Sequence, residues 1–256
     1  YDYHLKGKKN GWNKRPKVRL QVGGKNKWRE ENSWPPKSAK YKSFYLSSQK
    51  SNSVNSINDG SLETKKPTKR DSSTKWDYPH PDWKLGTVVF GSRGPDPVRG
   101  VLTFTSPPLQ KDMEIAGPIV LELKVSSTNT DTDFIVKLSD QHPQTKADRE
   151  QGLQPDSVVV SKGWLRASHR DKDKKNSTKL RPFYSHNNPQ PIESGKIYTY
   201  EVEVMPCAHC FKTGHRIRLE ISNGDSPITD SLFTHQYLYY KVGTDTYWHD
   251  VKNASR

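Results

Sequence analysis

The sequence is poor in cysteine, in long apolar runs and in the short motifs that announce catalysis. Two cysteines, Cys207 and Cys210, in 256 residues cannot build a disulfide framework. The fold must therefore stand on a buried core, and the pair leaves the compartment open. No run of about 18 apolar residues occurs, which excludes a membrane-spanning helix. The opening Tyr1-Asp2-Tyr3-His4 lacks the apolar centre of a secretory leader, and Tyr1 reads as a cut rather than a natural start. A Gly-x-Ser-x-Gly nucleophile elbow, a phosphate-binding loop and a dinucleotide fingerprint are all missing. Helical periodicity is scarce: Tyr1 to Trp12 reads as the end of a helix, with Leu5 and the tyrosines on one side and Gly7 and Gly11 as stops.

Charge is abundant, and its excess is positive. Lys and Arg number 42 against 28 Asp and Glu, a net +14 with a pI near 9.6, and clustered cations gain affinity for phosphates by releasing counterions. The excess sits at 6–27, 65–75 and 172–179, in Gly-, Asn- or Ser-rich surroundings without a recognition helix, an aromatic RNA-binding strand or a finger. These read as solvated linkers and loop tips, so no nucleic-acid partner is assigned.

The alternation of strands dominates the rest. From Gly117 to Asp140, Leu121, Leu123 and Val125 alternate with Glu122 and Lys124; after a polar turn, Phe134, Val136 and Leu138 alternate with Ile135 and Lys137. The segment reads as two neighbouring strands, the central pair of a sheet. Tyr198, Tyr200, Val202 and Val204 line one face of a further strand, and Ile217, Leu219 and Ile221 point inward on another with Arg216, Arg218 and Glu220 outward. Shorter candidates are 18–22, 41–46, 87–90, 101–105, 158–160, 164–169, 237–242 and 247–249, whereas 141–155 reads as polar loop and 171–186 as a charged excursion. Residues 47–75 are rich in Ser, Asn, Lys, Asp and Thr, too polar to offset their ordering entropy; they read as a long connection with at most one short strand. About seven to nine short strands and wide loops predict an all-β antiparallel sandwich, jelly roll rather than immunoglobulin because no Cys, Trp, Cys frame is present.

The candidate chemistry has an ordinary explanation in each case. Cys207-Ala208-His209-Cys210 followed by His215 opens like a zinc knuckle, but the fourth ligand position falls on Glu220, where strand alternation already accounts for it; the stretch reads as a loop between strands. His249-Asp250 and His169 near Asp171 are sequence neighbours without an activated Ser or Cys. Asp131 and Asp133 lie where a turn feeds a strand, a place that suits aspartate. No catalytic, cofactor-binding or metal-binding residue is assigned.

Several motifs taken together closely resemble the C-terminal domain of the cocaine-esterase-like serine hydrolases, a group with the X-prolyl dipeptidyl peptidases and α-amino-acid ester hydrolases. They are Phe104-Thr105-Ser106-Pro107-Pro108-Leu109, then Asp112 and Ile115-Ala116-Gly117-Pro118, and Asp131-Thr132-Asp133-Phe134 with Lys137-Leu138 and Asp140. Gly163-Trp164-Leu165-Arg166-Ala167 and Gly214-His215-Arg216-Ile217-Arg218-Leu219-Glu220-Ile221-Ser222 complete the set. Residues 3–11 and 18–36 resemble the last helix and strand region of that family's α/β-hydrolase domain. The resemblance implies a galactose-binding-like jelly roll at 85–256, a linker at 47–84 and a remnant of the hydrolase domain at 1–46. It implies that the triad lies upstream, and that the partners are the hydrolase and cap domains of the same polypeptide; homo-oligomerisation is left open. Cys207 to Cys210 and Asn223-Gly224-Asp225-Ser226-Pro227 depart from the family's pattern. The competing reading is a carbohydrate-binding jelly roll with an aromatic platform drawn from Trp76, Tyr78, Trp83, Trp164, Tyr239, Tyr240 and Trp248.

Overall fold

The alternating segments do form strands, but they do not pair as their order along the chain suggests. The computed structural model describes residues 1–67, 73–78, 89–91, 94–96, 98–224 and 243–249. In chain order the strands are β1 (Val18–Val22), β2 (Lys27–Glu31), β3 (Tyr45–Lys50), β4 (Gly60–Glu63), β5 (Ser73–Tyr78), β6 (Val89–Gly91) and β7 (Gly94–Asp96). They continue as β8 (Leu102–Thr105), β9 (Met113–Ser127), β10 (Asp133–Gln141), β11 (Ser157–Arg166), β12 (Tyr198–Phe211), β13 (Arg216–Ser222) and β14 (Gly243–Trp248). One short helix, α1 (Lys146–Glu150), lies between β10 and β11.

Ten strands make one sheet in the order β3-β4-β8-β13-β10-β11-β12-β9-β14-β5, antiparallel except where β4 runs beside β8. The sheet folds over on itself. β11 and β12 meet through a single residue pair, Gly163 opposite Val204, and the two end strands β3 and β5 lie against each other. The result is two facing layers, nearly closed at both sides, which protects the outermost strand edges from pairing with other chains. Across the layers the ring of Phe134 on β10 packs 4.6 Å from Tyr200 on β12 and 6.3 Å from Tyr247 on β14. Leu102, Phe104, Leu123, Val136 and Ile221 fill the core around them.

This arrangement corrects the central pair. β9 and β10 are not hydrogen-bonded neighbours: β9 pairs with β12 and β14, and β10 with β11 and β13. The turn at 128–132 carries the chain from one layer to the other, so the two dry faces meet across the core. Alternation identifies a dry face; it does not say whether the partner lies beside the strand or opposite it.

Other expectations shift for similar reasons. Residues 47–78 carry most of β3 and all of β4 and β5, and Leu46, Leu62 and Trp76 are in the core. These strands are so short that each shows only one or two apolar side chains to a reader of periodicity. Residues 1–11 form turns and bends, and Trp12–Lys14 one 3-10 turn, instead of the end of an α-helix, with Leu5 exposed. Residues 1–46 fold as these turns, the β1–β2 hairpin and the first residues of β3; no distinct α/β-hydrolase unit is present among the described residues. The polar stretch after β10 contains α1, started by a capping box in which Thr145 and Asp148 satisfy each other's backbone N–H groups. Arg218, expected outward, is 1% exposed: it donates to Glu220, Gln141 and Ser157 on a covered outer face. The candidate strand at 237–242 lies outside the described residues.

Candidate functional site

At one end of the sandwich a carboxylate stands on the dry face of β10. Phe134, Val136, Leu138 and Asp140 share that face, and Asp140 is buried, so its charge needs donors close at hand. His209 of β12, in the opposite layer, donates its Nε2–H to Asp140 Oδ2 at 2.8 Å. His215, on the turn entering β13, donates Nδ1–H to Oδ1 at 2.9 Å. Both imidazole nitrogens must carry the proton, because an ionised carboxylate only accepts. Burial pushes the Asp140 carboxyl up, but the hydrogen bonds from His209 and His215 outweigh it and hold the group below its ordinary value. His142, one residue past β10, packs against His215 with ring centroids 4.7 Å apart and the rings tilted by 44°. Asp140, His142 and His215 each present a potential ligand atom, all within 4.8 Å of one another.

The β1–β2 hairpin leans on the same place. Gly23 N–H donates to the Ala208 carbonyl at 3.0 Å, and Cys210 N–H donates to the Gly23 carbonyl at 2.9 Å. A Cβ on Gly23 would stand 2.7 Å from His209 Nδ1, so glycine is required for the backbone to approach the ring. Lys25 and Arg29 both pair with Glu114 of β9. The hydrogen bond from Lys25 and that from Arg29 hold the Glu114 carboxyl low against the effect of burial.

A second polar cluster lies inside the fold around Asp245 of β14. The Asp245 side chain is fully buried and accepts from Thr132 Oγ1 at 2.8 Å; Tyr78 Oη and Ser127 Oγ are 3.0 Å apart beside it. Burial pushes its carboxyl up to about 6, with hydrogen bonds from Ser127, Thr132 and Tyr78 acting in the opposite direction. A folded-state value raised above the unfolded one favours folding of the neutral acid: the contribution is complete below about pH 4 and lost as pH climbs through about 6. Asp245→Asn is therefore expected to gain on the wild type by roughly 2–3 kcal/mol as pH rises from 4 to 7. Urea unfolding across that range measures it, and a pH-independent difference would show that the carboxyl does not titrate in this window.

The residues considered as chemistry from sequence are dispersed. Cys207 and Cys210 lie within β12 rather than in a loop, and neither is in a disulfide. Burial raises the Cys207 thiol to about 11, away from the reactive thiolate. Glu220 is on β13 with Arg218, and His215 belongs with Asp140, so the knuckle pattern does not assemble. Asp131 accepts from Ser168 N–H and Oγ–H at 2.8 and 2.9 Å, and Asp133 accepts from Arg166 at 2.8 Å. His169 faces His186, Nδ1 to Nδ1 at 3.1 Å, while Asp171 is exposed. His249 is buried with Thr74 Oγ1 3.0 Å from its Nε2; Asp250 lies outside the described residues. Among the described residues no serine hydroxyl is bonded to a histidine that also holds a carboxylate. Of the aromatic platform, Trp76 and Tyr78 are core residues and Trp164 is exposed. Trp248 donates to Ser126; Trp83, Tyr239 and Tyr240 lie outside the described residues. No helix among the described residues is long and apolar enough to cross a membrane.

The histidine cluster was missed by motif reading because its members come from three separate segments. One signal was present: an Asp at the inward register of a strand, after Phe134, Val136 and Leu138, demands a buried donor.

Comparison with known proteins agrees with this architecture. Residues 10–248 match the family model described as the X-Pro dipeptidyl-peptidase C-terminal non-catalytic domain. The cocaine esterase of Rhodococcus sp. (strain MB1 Bresler) is 30% identical over 240 residues, which are 90% of this chain and 38% of that protein. A CocE/NonD family hydrolase from Staphylococcus aureus superposes with a TM-score of 0.69 at 19% identity, over 99% of this chain and 43% of the other. An aminopeptidase from a marine sediment Thaumarchaeota archaeon gives 0.68 at 20%, over 99% of this chain and 41% of the other. The chain thus spans well under half the length of each of these relatives. A nearly closed two-layer β fold and a match over almost the whole chain place this protein in the family of X-Pro dipeptidyl-peptidase C-terminal non-catalytic domains, among the cocaine-esterase-like hydrolases.

Proposed function

We propose that this chain is the non-catalytic C-terminal part of a serine hydrolase acting on esters or amides, and that its sandwich braces the catalytic domain. The match of residues 10–248 to a non-catalytic domain carries the reading. The surface supports it. Trp164 and Met205, 48% and 58% exposed, line one groove of about 390 Å³ with Phe183, Pro182 and Pro206, and Val158 and Val159 earlier on β11 are exposed as well. Exposed apolar side chains gathered in a groove suit a surface covered by another domain. In this reading residues 1–46 lie at the junction with the hydrolase domain, residues 85–256 form the body of the sandwich, and the 47–84 connection contributes β4 and β5 to it. The catalytic Ser, His and acid belong to the hydrolase domain.

The purified chain is expected to hydrolyse p-nitrophenyl acetate and longer acyl esters no faster than buffer; turnover that stays with the chain through purification overturns the reading. Joined to a hydrolase domain of the family, the sandwich is expected to raise that domain's melting temperature, and Trp164→Ser to reduce the gain. Equal melting temperatures with and without the sandwich would remove the bracing role.

A further inference from the structure

We propose that Asp140, His142 and His215 hold a divalent first-row transition-metal ion, zinc in the first place, with His209 fixing the orientation of the carboxylate. Two imidazoles and one carboxylate are a donor set that zinc accepts and that calcium or magnesium, which take oxygen ligands, do not. The spacing suits it. A tetrahedral zinc with ligands at 2.0–2.1 Å separates them by about 3.3 Å. Asp140 Oδ1 and His215 Nδ1 are 2.9 Å apart in the metal-free fold, the ion would take the place of the Nδ1 proton, which leaves to solvent, and the His142 ligand atom lies within 4.8 Å of the other two.

Three features separate this cluster from a plain hydrogen-bonded tie. The ring of His142 packs at a 44° tilt against His215 and makes no side-chain hydrogen bond among the described residues, which leaves its ring nitrogens free to ligate. The carboxylate is supported from behind: His209 donates to Asp140 Oδ2, the outer contact that orients a metal-bound carboxylate. The His209 ring is in turn confined by Gly23 of the docked hairpin. Asp140 lies on β10, and His142 and His215 each stand one residue outside β10 and β13, two strands paired along their length, so rigid elements hold the backbone on either side of the site. His142 and His215 are half-buried, which gives an ion a way in and leaves a fourth position for water or an exogenous ligand.

The test is a titration of the chelator-stripped chain with Co²⁺ and then Zn²⁺. One equivalent of Co²⁺ is expected to give visible d–d absorption bands, which one equivalent of Zn²⁺ abolishes, and Zn²⁺ is expected to raise the melting temperature by several degrees. His142→Ala, which removes no hydrogen bond of the fold, is expected to weaken Zn²⁺ binding at least 100-fold while the metal-free unfolding midpoint stays put; His209→Gln is expected to weaken it about 10–100-fold. Failure to bind one equivalent overturns the proposal, as does binding that His142→Ala leaves intact. Binding that disappears with His186→Ala instead assigns the ion to the His169–His186 pair and overturns it equally.

Discussion

Asp140→Ala is expected to cost about 3 kcal/mol of folding free energy in chelator-containing buffer, because the imidazole N–H donors of His209 and His215 lose their acceptor, at roughly 1–3 kcal/mol for each buried donor left unpaired. The carboxylate accepts from His209 in one layer and from His215 in the other, so its loss cuts a polar tie across the sandwich and strands a buried imidazole. For a chain of this size the melting temperature should fall by roughly 10 °C. Asp140→Asn is the informative companion: its amide keeps an acceptor for one histidine and can donate to the other once that ring changes tautomer, so the loss should be about 1–2 kcal/mol. Urea unfolding of the two variants beside the wild type decides the matter. If both are as stable as the wild type, the two layers are held at this end by apolar packing alone.

Gly163→Ala tests the corner where the sheet folds over. A Cβ there would lie 3.0 Å from Val204 Cα and from the Glu203 carbonyl carbon, and closer still to the Glu203 oxygen. All of these are backbone atoms, which cannot turn aside as a flexible side chain would. β11 and β12 would have to part at their single shared residue pair, and the expected loss is about 3 kcal/mol or more, the upper range for overpacking. Gly195→Ala serves as the comparison without a steric clash: its Cβ would meet nothing within 4 Å, so only its positive φ of 77° opposes the substitution, at a cost of about 1–2 kcal/mol. Thermal unfolding of the pair should show a clear gap. Equal losses would mean that the close approach at residue 163 relaxes freely.

Much of the fold was legible because one-sided burial leaves a period of two in a strand. Leu121, Leu123 and Val125, Phe134, Val136 and Leu138, Tyr200, Val202 and Val204, and Ile217, Leu219 and Ile221 were each read as an inward row, and each row is at least largely buried. What failed was of three kinds. Strands with one apolar residue to show, such as β4 with Leu62, gave no countable pattern. Arg218 looked outward because charge ordinarily seeks water, yet Glu220, Gln141 and Ser157 satisfy it under cover. The Cys207–Cys210 stretch reads in sequence as a loop between strands, yet β12 runs through it to Phe211.

The sequence alone determined that the chain is a β protein with a dry and a wet side to its long strands, that it carries no nucleophile elbow, and that its motifs resemble a hydrolase's accessory domain. These are local properties, written within a few residues of one another. Only the tertiary structure decided that β9 faces β10 instead of pairing with it, that Gly163 makes the corner, and that His142, His209 and His215 gather around Asp140. Gly163 meets Val204, and His209 and His215 meet Asp140, across tens of positions in the chain. Their meeting is set by how ten strands close around one core, and no period or spacing in the sequence records that closure.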